Sequence, residues 1–342
     1  MDDSSALIEQ LRERTQRASQ SWRPGAKVVS VEPLTGGASS LTFTIRFEGV
    51  PGADEVVVLK VAPPGLPPVR NRDVLHQGTL MRALAGRDGV VVPEVLFQDA
   101  GDPPGISPFL AMNLVPGECL EPVLQPSPDP RRFSEFRSRA FDAARMLAAM
   151  HRLQPVAIGL AEEPVVSIKA EIARWVRAYE TSPPHLQFNY PEVADALLAS
   201  IPEEVPPVVN HGDYRLGNTL CLDGHLNAII DWEIWSVGDP RVDLTWLTFF
   251  CDDSGHPSKA SEGPSGMPSS AELLASYVDA GGEAYPDLDW FYALTYFKEA
   301  ALTSLLVKRA EKGSDPVLAE RMTRFIPSLG HLLDMASARL SA

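Results

Sequence analysis

The stretch HGDYRLGNTLCLDGHLNAIIDWE, residues 211–233, places polar side chains at both ends of two short apolar runs. The runs TLCL and HLNAII are separated by Asp223 and Gly224. A two-residue Asp-Gly link between apolar runs favours a β-hairpin with a type I′ turn. The stretch therefore predicts a tight hairpin with polar groups at its open end.

The turn determines which residues face each other across the hairpin. If Leu222 pairs with His225, Asn218 lies opposite Ile229, and Asp231 is diagonal to Asn218 on the same face. Diagonal cross-strand positions are about 7–8 Å apart, so a side-chain carbonyl and a carboxylate can converge on one cation. Mg²⁺ binds one or two protein oxygens and completes its octahedron with water and phosphate oxygens. The hairpin predicts a magnesium site formed by Asn218 and Asp231.

Another carboxylate, Asp213, precedes Asn218 by five residues within HGDYRLGN. The order H-x-D-x-x-x-x-N followed by a later Asp is that of the protein-kinase catalytic loop, in which the first Asp takes the proton of the acceptor hydroxyl. Either motif alone is more often a plain turn or loop, but their order and the hairpin between them favour the functional interpretation. The pattern predicts Asp213 as the catalytic residue and His211 as a structural hydrogen-bonding residue.

Residues 208–247, VVNHGDYRLGNTLCLDGHLNAIIDWEIWSVGDPRVDLTWL, resemble the signature of the aminoglycoside phosphotransferase family, which has a protein-kinase-like fold. The resemblance is closest to the kinase domains fused to some animal acyl-CoA dehydrogenases. It implies a bilobal α+β fold, with a nucleotide-binding N-terminal lobe and a mostly helical C-terminal lobe that carries the catalytic loop and the acceptor site. It also implies that Asp243 braces the catalytic loop, although a carboxylate at a helix N-terminus is an alternative interpretation.

The order of the apolar patterns favours the same fold class. In residues 41–48, apolar and polar residues alternate with the period of a half-buried strand. Further strand patterns occur at 55–62, 95–97 and 108–115, with one helical pattern at 73–86. Helical patterns then follow at 133–153, 167–180, 193–201, from residue 270 and at 288–311. Strands followed by helices indicate an α+β protein, and we place the lobes at 1–115 and 116–342. Residues 252–270 form a polar loop that is either functional or mobile.

The N-terminal lobe contains candidate groups for binding a triphosphate. In LTGGASS, a Gly-rich turn lets the backbone approach phosphates, with Gly37, Ser39 and Ser40 as contacts, although two glycines between strands are also common in an ordinary hairpin. Lys60 lies in the apolar run VVVLKV, where a buried cation needs an anion. The pattern therefore favours phosphate contact over an edge lysine that reaches solvent.

The family resemblance adds two expectations about the nucleotide site. The Asn113 carbonyl and the Val115 N–H would bracket the edge of the adenine. The family's partner for the strand lysine is a helix glutamate, but residues 68–86 contain no Glu. Gln77 takes the place of that glutamate, and Asp73 lies one turn earlier on the same face. Which of the two contacts the lysine is left open.

Composition limits the classes of partner. The 342 residues carry a formal net charge of -15, which argues against nucleic-acid binding because that requires clustered Lys and Arg. An acidic surface could favour a cationic substrate. Three scattered cysteines, an acidic N-terminal segment and no apolar run of about 18 residues predict a cytoplasmic protein that has no membrane partner. The oligomeric state is left open.

These observations together predict a phosphotransferase that uses Mg²⁺ and ATP, or another NTP, and acts on a hydroxyl of a small molecule. The acceptor, walled by the helices after residue 270, could be an aminoglycoside, another hydroxylated metabolite or an acyl thioester. Two alternatives remain. One is a degenerate kinase fold that binds nucleotide without turnover, and the other is a metal-dependent hydrolase built on His211, Asp213 and Asp231.

Overall fold

The computed structural model describes residues 3–34, 40–50, 52–313 and 315–341 of the chain. These residues belong to two compact units. The first unit comprises Met1–Glu118, Ile158–Leu160 and Asn218–Trp235, and the second comprises Cys119–Ala157, Ala161–Gly217 and Ser236–Ala342. The predicted hairpin therefore groups with the N-terminal strands. The lobe boundary after residue 115 stays a prediction.

The strands and helices follow one another along the chain much as the apolar patterns predict. The strands are β1 Lys27–Pro33, β2 Leu41–Glu48, β3 Val56–Val61, β4 Val95–Asp99, β5 Phe109–Asn113, β6 Val165–Val166, β7 Val208–Asn210, β8 Thr219–Leu222, β9 His225–Ile229 and β10 Ser236–Gly238. The helices are α1 Asp3–Ala18, α2 Val74–Leu84, α3 Phe133–His151, α4 Ile168–Glu180, α5 Tyr190–Ala199, α6 Arg241–Phe249, α7 Ser270–Asp279, α8 Leu288–Lys312, α9 Pro316–Thr323 and α10 Ile326–Leu340.

An antiparallel sheet in the order β1-β2-β3-β5-β4 forms the body of the first unit. The alternation predicted for β2 is present, since Phe43, Ile45 and Phe47 are buried, whereas Leu41 at the start of the strand is exposed. The buried face of the sheet packs against α1 through a core that includes Leu11. The predicted antiparallel N-terminal sheet is confirmed.

The second unit is mostly helical. The central helix α8 contributes many of the buried side chains of its core, together with α4, α5, α6 and α10. A small sheet lies beside these helices, in which β10 runs parallel to β6 and antiparallel to β7. Because β7 runs into the 211–218 loop and β10 runs into α6, this sheet brings the loop close to the start of α6.

Residues 252–269, all of them described, form neither helix nor strand between α6 and α7. Two carboxylates at the start of this segment hold its backbone. Asp252 accepts the backbone N–H of Ser265 at 2.8 Å, and Asp253 accepts that of Ser270 at 3.0 Å. These hydrogen bonds link the start of the segment to its end, which explains how such a polar loop can adopt a defined conformation.

Candidate active site

Asp243 holds the backbone of the 211–218 loop, which carries the predicted catalytic residue Asp213. This carboxylate on the first turn of α6 accepts the backbone N–H groups of His211 at 2.5 Å and Gly212 at 2.8 Å. Asp243 is fully buried, and burial raises its pKa. Lys298 on α8 donates to the Gly212 carbonyl. The expected contact between Asp243 and the loop is confirmed, and Lys298 is a second anchor that the sequence did not indicate.

His211 takes part in the loop as a hydrogen-bond acceptor. It is fully buried, and its Nδ1 accepts the backbone N–H of Asp213 at 3.1 Å. This bond stabilises the turn between the two residues. A ring nitrogen that accepts a backbone N–H fits the structural interpretation of His211 better than that of a general base.

The Asp213 carboxylate is held by two side chains that converge on one oxygen. The indole Nε1 of Trp246 donates to Asp213 Oδ1 at 2.7 Å, and Arg215 Nε donates to the same oxygen at 3.3 Å. The Asp213 side chain is 26% exposed, so it is both oriented and accessible. A fixed, accessible carboxylate is what a residue that orients an acceptor hydroxyl requires.

Two further carboxylates of the second unit belong to the electrostatic surroundings of Asp213. Burial raises the pKa of Glu121 to about 7, and the charge of Arg215 opposes that rise. Burial, together with the charge of Asp213, also raises the pKa of Glu299 to about 7. The charges of Asp213, Glu121 and Glu299 all raise the pKa of Arg215 against the effect of its burial. Arg215 is therefore one cation whose charge offsets these carboxylates, and Lys298 acts in the same direction on Glu299.

In the first unit, Lys60 and Asp231 form an ion pair. Lys60 Nζ donates to Asp231 Oδ1 at 2.9 Å. The Lys60 side chain is 10% exposed and that of Asp231 is 43% exposed. Lys60 lies in β3, paired with Thr42 of β2 and Leu110 of β5. A lysine in this position is buried on a central strand, which excludes the edge-lysine interpretation.

The two side chains expected near Lys60 have other contacts. Asp73 caps α2 by accepting the backbone N–H groups of Leu75 and His76, and Gln77 Nε2 donates to the Asn71 carbonyl at 3.5 Å. The carboxylate that pairs with the strand lysine is thus the predicted metal ligand and does not come from α2.

The hairpin has the predicted turn. Leu222 pairs with His225, and Asp223 and Gly224 have φ values of 51° and 79°. Positive φ at both central residues is the requirement of a type I′ turn. The strand pairing next to the turn is therefore confirmed, but a β-bulge shifts the register further along the hairpin.

Beyond the bulge, Ile229 faces Thr219 instead of Asn218, and the backbone N–H of Ile230 donates to the Asn218 carbonyl at 2.9 Å. The predicted opposition of Asn218 and Ile229 is wrong by one residue. The cause is an extra residue in β9, Asn227, whose side-chain amide donates to a backbone carbonyl outside the hairpin at 2.8 Å.

Because of the bulge, Asn218 and Asp231 no longer occupy the diagonal positions from which a shared cation was inferred. Asp231 follows the hairpin with a left-handed backbone, φ 65°, so strand alternation no longer determines the direction of its side chain. Convergence of Asn218 and Asp231 on one cation stays a prediction that depends on the order of the motifs.

Only some of the residues predicted to contact the nucleotide lie in the part of the chain that the structure describes. Gly37 and Ser39 lie outside the described residues. Ser40 is buried immediately before β2. Asn113 ends β5, where its side-chain oxygen accepts a backbone N–H at 2.7 Å, and Val115 follows in a half-buried position. Their contacts with a nucleotide stay predictions.

The predicted metal ligands, Asn218 and Asp231, both offer side-chain oxygen atoms. The part of the chain that the structure describes contains no group of three or more His, Cys, Asp or Glu placed to hold a metal ion. Mg²⁺ does not need such a group, because it uses one or two protein oxygens and takes the rest from water and phosphate. The oxygens of Asn218 and Asp231 fit that requirement.

Comparison with known proteins identifies the family. The profile of the phosphotransferase enzyme family (APH) matches residues 30–294. The chain belongs to this family. The match includes both strand β3, which carries Lys60, and the loop that carries Asp213, and it confirms the resemblance seen in residues 208–247.

Relatives of this phosphotransferase family member include acyl-CoA dehydrogenase family member 11. The chicken protein is 26% identical over 293 residues, covering 81% of this chain and 36% of the relative. The human protein is 23% identical over 299 residues, covering 84% of this chain and 37% of the relative. The chain thus spans little more than a third of the length of these curated relatives.

Solved structures show the same fold. A Ralstonia eutropha JMP134 protein described as a candidate aminoglycoside phosphotransferase has a TM-score of 0.71 at 22% identity and covers 98% of each chain. The GDP complex of aminoglycoside 2′-phosphotransferase-IIIa has a TM-score of 0.61 at 15% identity, covering 94% of this chain and 98% of its own. Macrolide 2′-phosphotransferase type I has a TM-score of 0.57 at 17% identity, covering 95% and 96%. The kinase-like α+β fold is confirmed.

Several contacts of this family member were missed by sequence reasoning. Arg215 and Trp246 lie inside the quoted signature, and a charged or aromatic residue so close to a catalytic motif was a usable signal. Glu121 carries no local signal, because it is a single acidic residue without a motif, whereas Glu299 lies on one of the helices after residue 270 that were expected to wall the acceptor. Trp290 lies on α8, one of the helices expected to wall the acceptor, and its indole N–H donates to the Ser200 hydroxyl at 3.0 Å.

None of the helices in the described parts of the chain combines the length and the apolarity that crossing a bilayer requires.

Proposed function

We propose that this protein transfers the γ-phosphoryl group of ATP, or of another NTP, to a hydroxyl of a small molecule in a Mg²⁺-dependent reaction. Membership of the phosphotransferase enzyme family supports phosphoryl transfer to a small molecule. The observation that carries the proposal is the Asp213 carboxylate, which is oriented by Trp246 and Arg215 in a loop that Asp243 braces.

In this reaction Asp213 would position the acceptor hydroxyl and accept its proton at the carboxylate. Phosphoryl transfer asks little covalent chemistry of the protein, so positioning and charge stabilisation are the main contributions. The bonds from Trp246 and Arg215 to Oδ1 restrict the rotation of the carboxylate before the acceptor binds. Holding a reacting group in this way lowers the entropy that must be lost on the way to the transition state.

The residues of the first unit would bind the nucleotide and the metal. Lys60 would contact phosphate oxygens, and Asp231 with Asn218 would hold Mg²⁺. When bound, the metal would neutralise charge that develops on the transferred phosphoryl group. In the free protein the Lys60 cation and the Asp231 carboxylate stabilise each other.

A screen with γ-labelled ATP would test the function. The purified protein would be incubated with Mg-ATP and a panel of hydroxylated acceptors, and transfer of label to each acceptor would be measured. We expect at least one acceptor to be labelled only when Mg²⁺ is present. Release of product from a substrate without any nucleotide would instead support a hydrolase, and nucleotide binding without any turnover would support a degenerate kinase fold.

The variant Asp213→Asn tests the proposed role of the Asp213 carboxylate. We expect it to reduce turnover about 10²- to 10⁴-fold, the range typical of a lost general base. The dissociation constant of Mg-ATP should stay within about twofold, because the carboxylate acts on the acceptor. Asp195→Asn, at an exposed position on α5, is the matched control. Near-normal turnover in Asp213→Asn would show that another residue orients the hydroxyl.

A further inference from the structure

Glu121 lies far from the catalytic loop in sequence but contacts it at two points. Its Oε2 accepts the backbone N–H of Gly217, 96 residues later in the chain, at 2.9 Å. The same oxygen lies 3.5 Å from Arg215 Nη1. The Glu121 side chain is 5% exposed. The backbone N–H of Gly217 and the Arg215 cation thus both lie at one oxygen of this buried carboxyl group, so two groups of the loop orient it.

Gly217 is the residue that lets Arg215 reach Glu121. A Cβ at position 217 would lie 1.8 Å from Arg215 Nη1 and 3.3 Å from Glu121 Oε2. The guanidinium therefore occupies the space that any side chain at 217 would need. A side chain at 217 would therefore require the flexible guanidinium of Arg215 to move from its present position beside Glu121.

The other end of Arg215 reaches the catalytic carboxylate. Its Nε donates to Asp213 Oδ1 at 3.3 Å, and its guanidinium lies over the ring of Phe250 with Cζ 5.4 Å from the centroid. The Arg215 guanidinium thus contacts the Glu121 carboxyl group and stacks on the Phe250 ring. The planar guanidinium offers donors in a fixed arrangement, so fixing it at Glu121 restricts where Nε can place its bond to Asp213.

Trp246 donates a second hydrogen bond to the Asp213 carboxylate. Its indole donates to the same Oδ1 atom at 2.7 Å, while the Lys298 ammonium lies 3.8 Å from its ring centroid. Lys298 also donates to the Gly212 carbonyl. Lys298 therefore contacts both the Trp246 indole and the backbone of the loop, and helps to hold the indole in position.

We propose that Glu121 and Arg215 form a positioning pair, which acts with Trp246 to orient the Asp213 carboxylate for the acceptor hydroxyl. The proposal rests on the proposed function, in which Asp213 accepts the proton of that hydroxyl. Neither Glu121 nor Arg215 needs to touch the acceptor. Their effect is transmitted through the Arg215 bond to Oδ1 and through the Gly217 backbone, and a small misplacement of a reacting group can lower a rate about 10²-fold.

A double-mutant cycle on turnover tests the pair. Mg-ATP hydrolysis with water as the acceptor would be measured for wild type, Glu121→Gln, Arg215→Met and the double variant. We expect each single variant to lower kcat about 10- to 100-fold, with KM for Mg-ATP within about twofold. The double variant should be no slower than the slower single variant, since the two residues act through one contact. Arg137→Met, which removes an exposed ion pair with Glu272, is the matched control and should leave kcat unchanged.

A second readout does not depend on activity. The chain contains 6 tryptophans, and the indole N–H resonance of Trp246 can be assigned in a ¹H–¹⁵N spectrum from its loss in Trp246→Phe. We expect this resonance to shift in Glu121→Gln and Arg215→Met, because its acceptor Oδ1 moves, and to stay in place in Arg137→Met. Absence of Mg-ATP hydrolysis in wild type together with these shifts would count against the proposed function but not against the positioning contact.

Two results would overturn the proposal. The first is a Trp246 resonance that does not move in either variant while both variants remain folded. The second is additive losses of kcat in the double variant, or losses no larger than the fall in the folded fraction measured by thermal unfolding. Either would show that Glu121 and Arg215 only stabilise the second unit.

Discussion

At the scale of single residues, the ion pair between Lys60 and Asp231 explains how a lysine can lie within a central strand. A buried ammonium without an anion is strongly destabilising. Since α2 provides no glutamate, the anion comes from Asp231, 171 residues later in the chain. One carboxylate is therefore expected to serve the free protein as a partner for Lys60 and the nucleotide complex as a metal ligand.

Replacing Asp231 by alanine should weaken binding of Mg-ATP much more than binding of metal-free ATP. The variant loses a metal ligand, while Lys60 remains to bind phosphate. The variant also removes the anion that pairs with Lys60, whose side chain is only 10% exposed, so folding stability should fall by more than the roughly 1 kcal/mol typical of a solvent-exposed ion pair. Thermal stabilisation by ATP with Mg²⁺ and with a chelator would be compared. Equal losses for the two forms would mean that Asp231 has a structural role only.

Glu299 should make stability depend on pH near neutrality. Its pKa is raised from 4.5 to about 7 in the folded state, so between these values the folded protein binds more protons than the unfolded chain. The free energy of unfolding contributed by this group is therefore highest below pH 4.5, falls as the pH rises towards 7, and levels off above it.

Glu299→Gln should accordingly reduce the fall in stability between pH 5 and pH 8 by an amount of the order of 1 kcal/mol. Urea unfolding at several pH values would measure the effect. Glu180→Gln, at an exposed position at the end of α4, is the control for the substitution itself. If the Glu299→Gln profile kept the wild-type slope, Glu299 would be ionised in the folded protein at neutral pH.

At the scale of secondary-structure elements, α2 is tied to the segment after the hairpin by two aromatic rings. His76 on α2 stacks on Trp235, with ring centroids 4.3 Å apart and an interplanar angle of 20°. Trp235 follows Asp231 by four residues and is 6% exposed. In a chain whose α2 carries no glutamate for Lys60, this stacking connects the helix to the segment that holds the predicted metal ligand.

His76→Ala should lower the free energy of unfolding by about 0.5–1.5 kcal/mol, the usual contribution of an aromatic pair. It should also weaken Mg-ATP binding, because the segment carrying Asp231 loses its support. His76→Phe keeps a flat ring and should retain most of both properties. Chemical denaturation and nucleotide titration would measure them. A variant with alanine that bound Mg-ATP like wild type would show that the stacking does not support the metal ligand.

At the scale of the whole molecule, the net charge of -15 is not concentrated around the predicted catalytic residue Asp213. Asp213 is accompanied by Arg215 and Lys298, and burial raises the pKa values of Glu121 and Glu299 to about 7. A polycationic acceptor would need several ionised carboxylates, because each buried ammonium requires an anion or several acceptors. The described surroundings of Asp213 do not offer such a set.

Expression of this protein in a susceptible bacterium should therefore leave tolerance to aminoglycosides unchanged. Inhibitory concentrations for several aminoglycosides would be compared between cells that express wild type and cells that express Asp213→Asn. A several-fold rise in the inhibitory concentration that disappears with Asp213→Asn would contradict the prediction. It would indicate that the acidity of the chain serves to bind a cationic substrate.

The sequence by itself determined the features that depend on neighbouring residues. The Asp223-Gly224 turn follows from the ease with which these residues adopt positive φ, and the alternating burial of β2 follows from the two-residue period of a strand. The spacing of Asp213, Asn218 and Asp231 indicated the family for the same reason, since it lies within one short stretch. The functions of these three residues stay predictions.

Only the tertiary structure decided which distant groups meet. The contact of Glu121 with Gly217 joins residues 96 positions apart, and that of Lys60 with Asp231 joins residues 171 positions apart. No local spacing encodes such pairs, because they form when whole elements pack and each buried charge must find a partner. The bulge in β9 was missed for a related reason. Its extra residue is stabilised by a contact outside the hairpin, so the hairpin sequence alone could not reveal it.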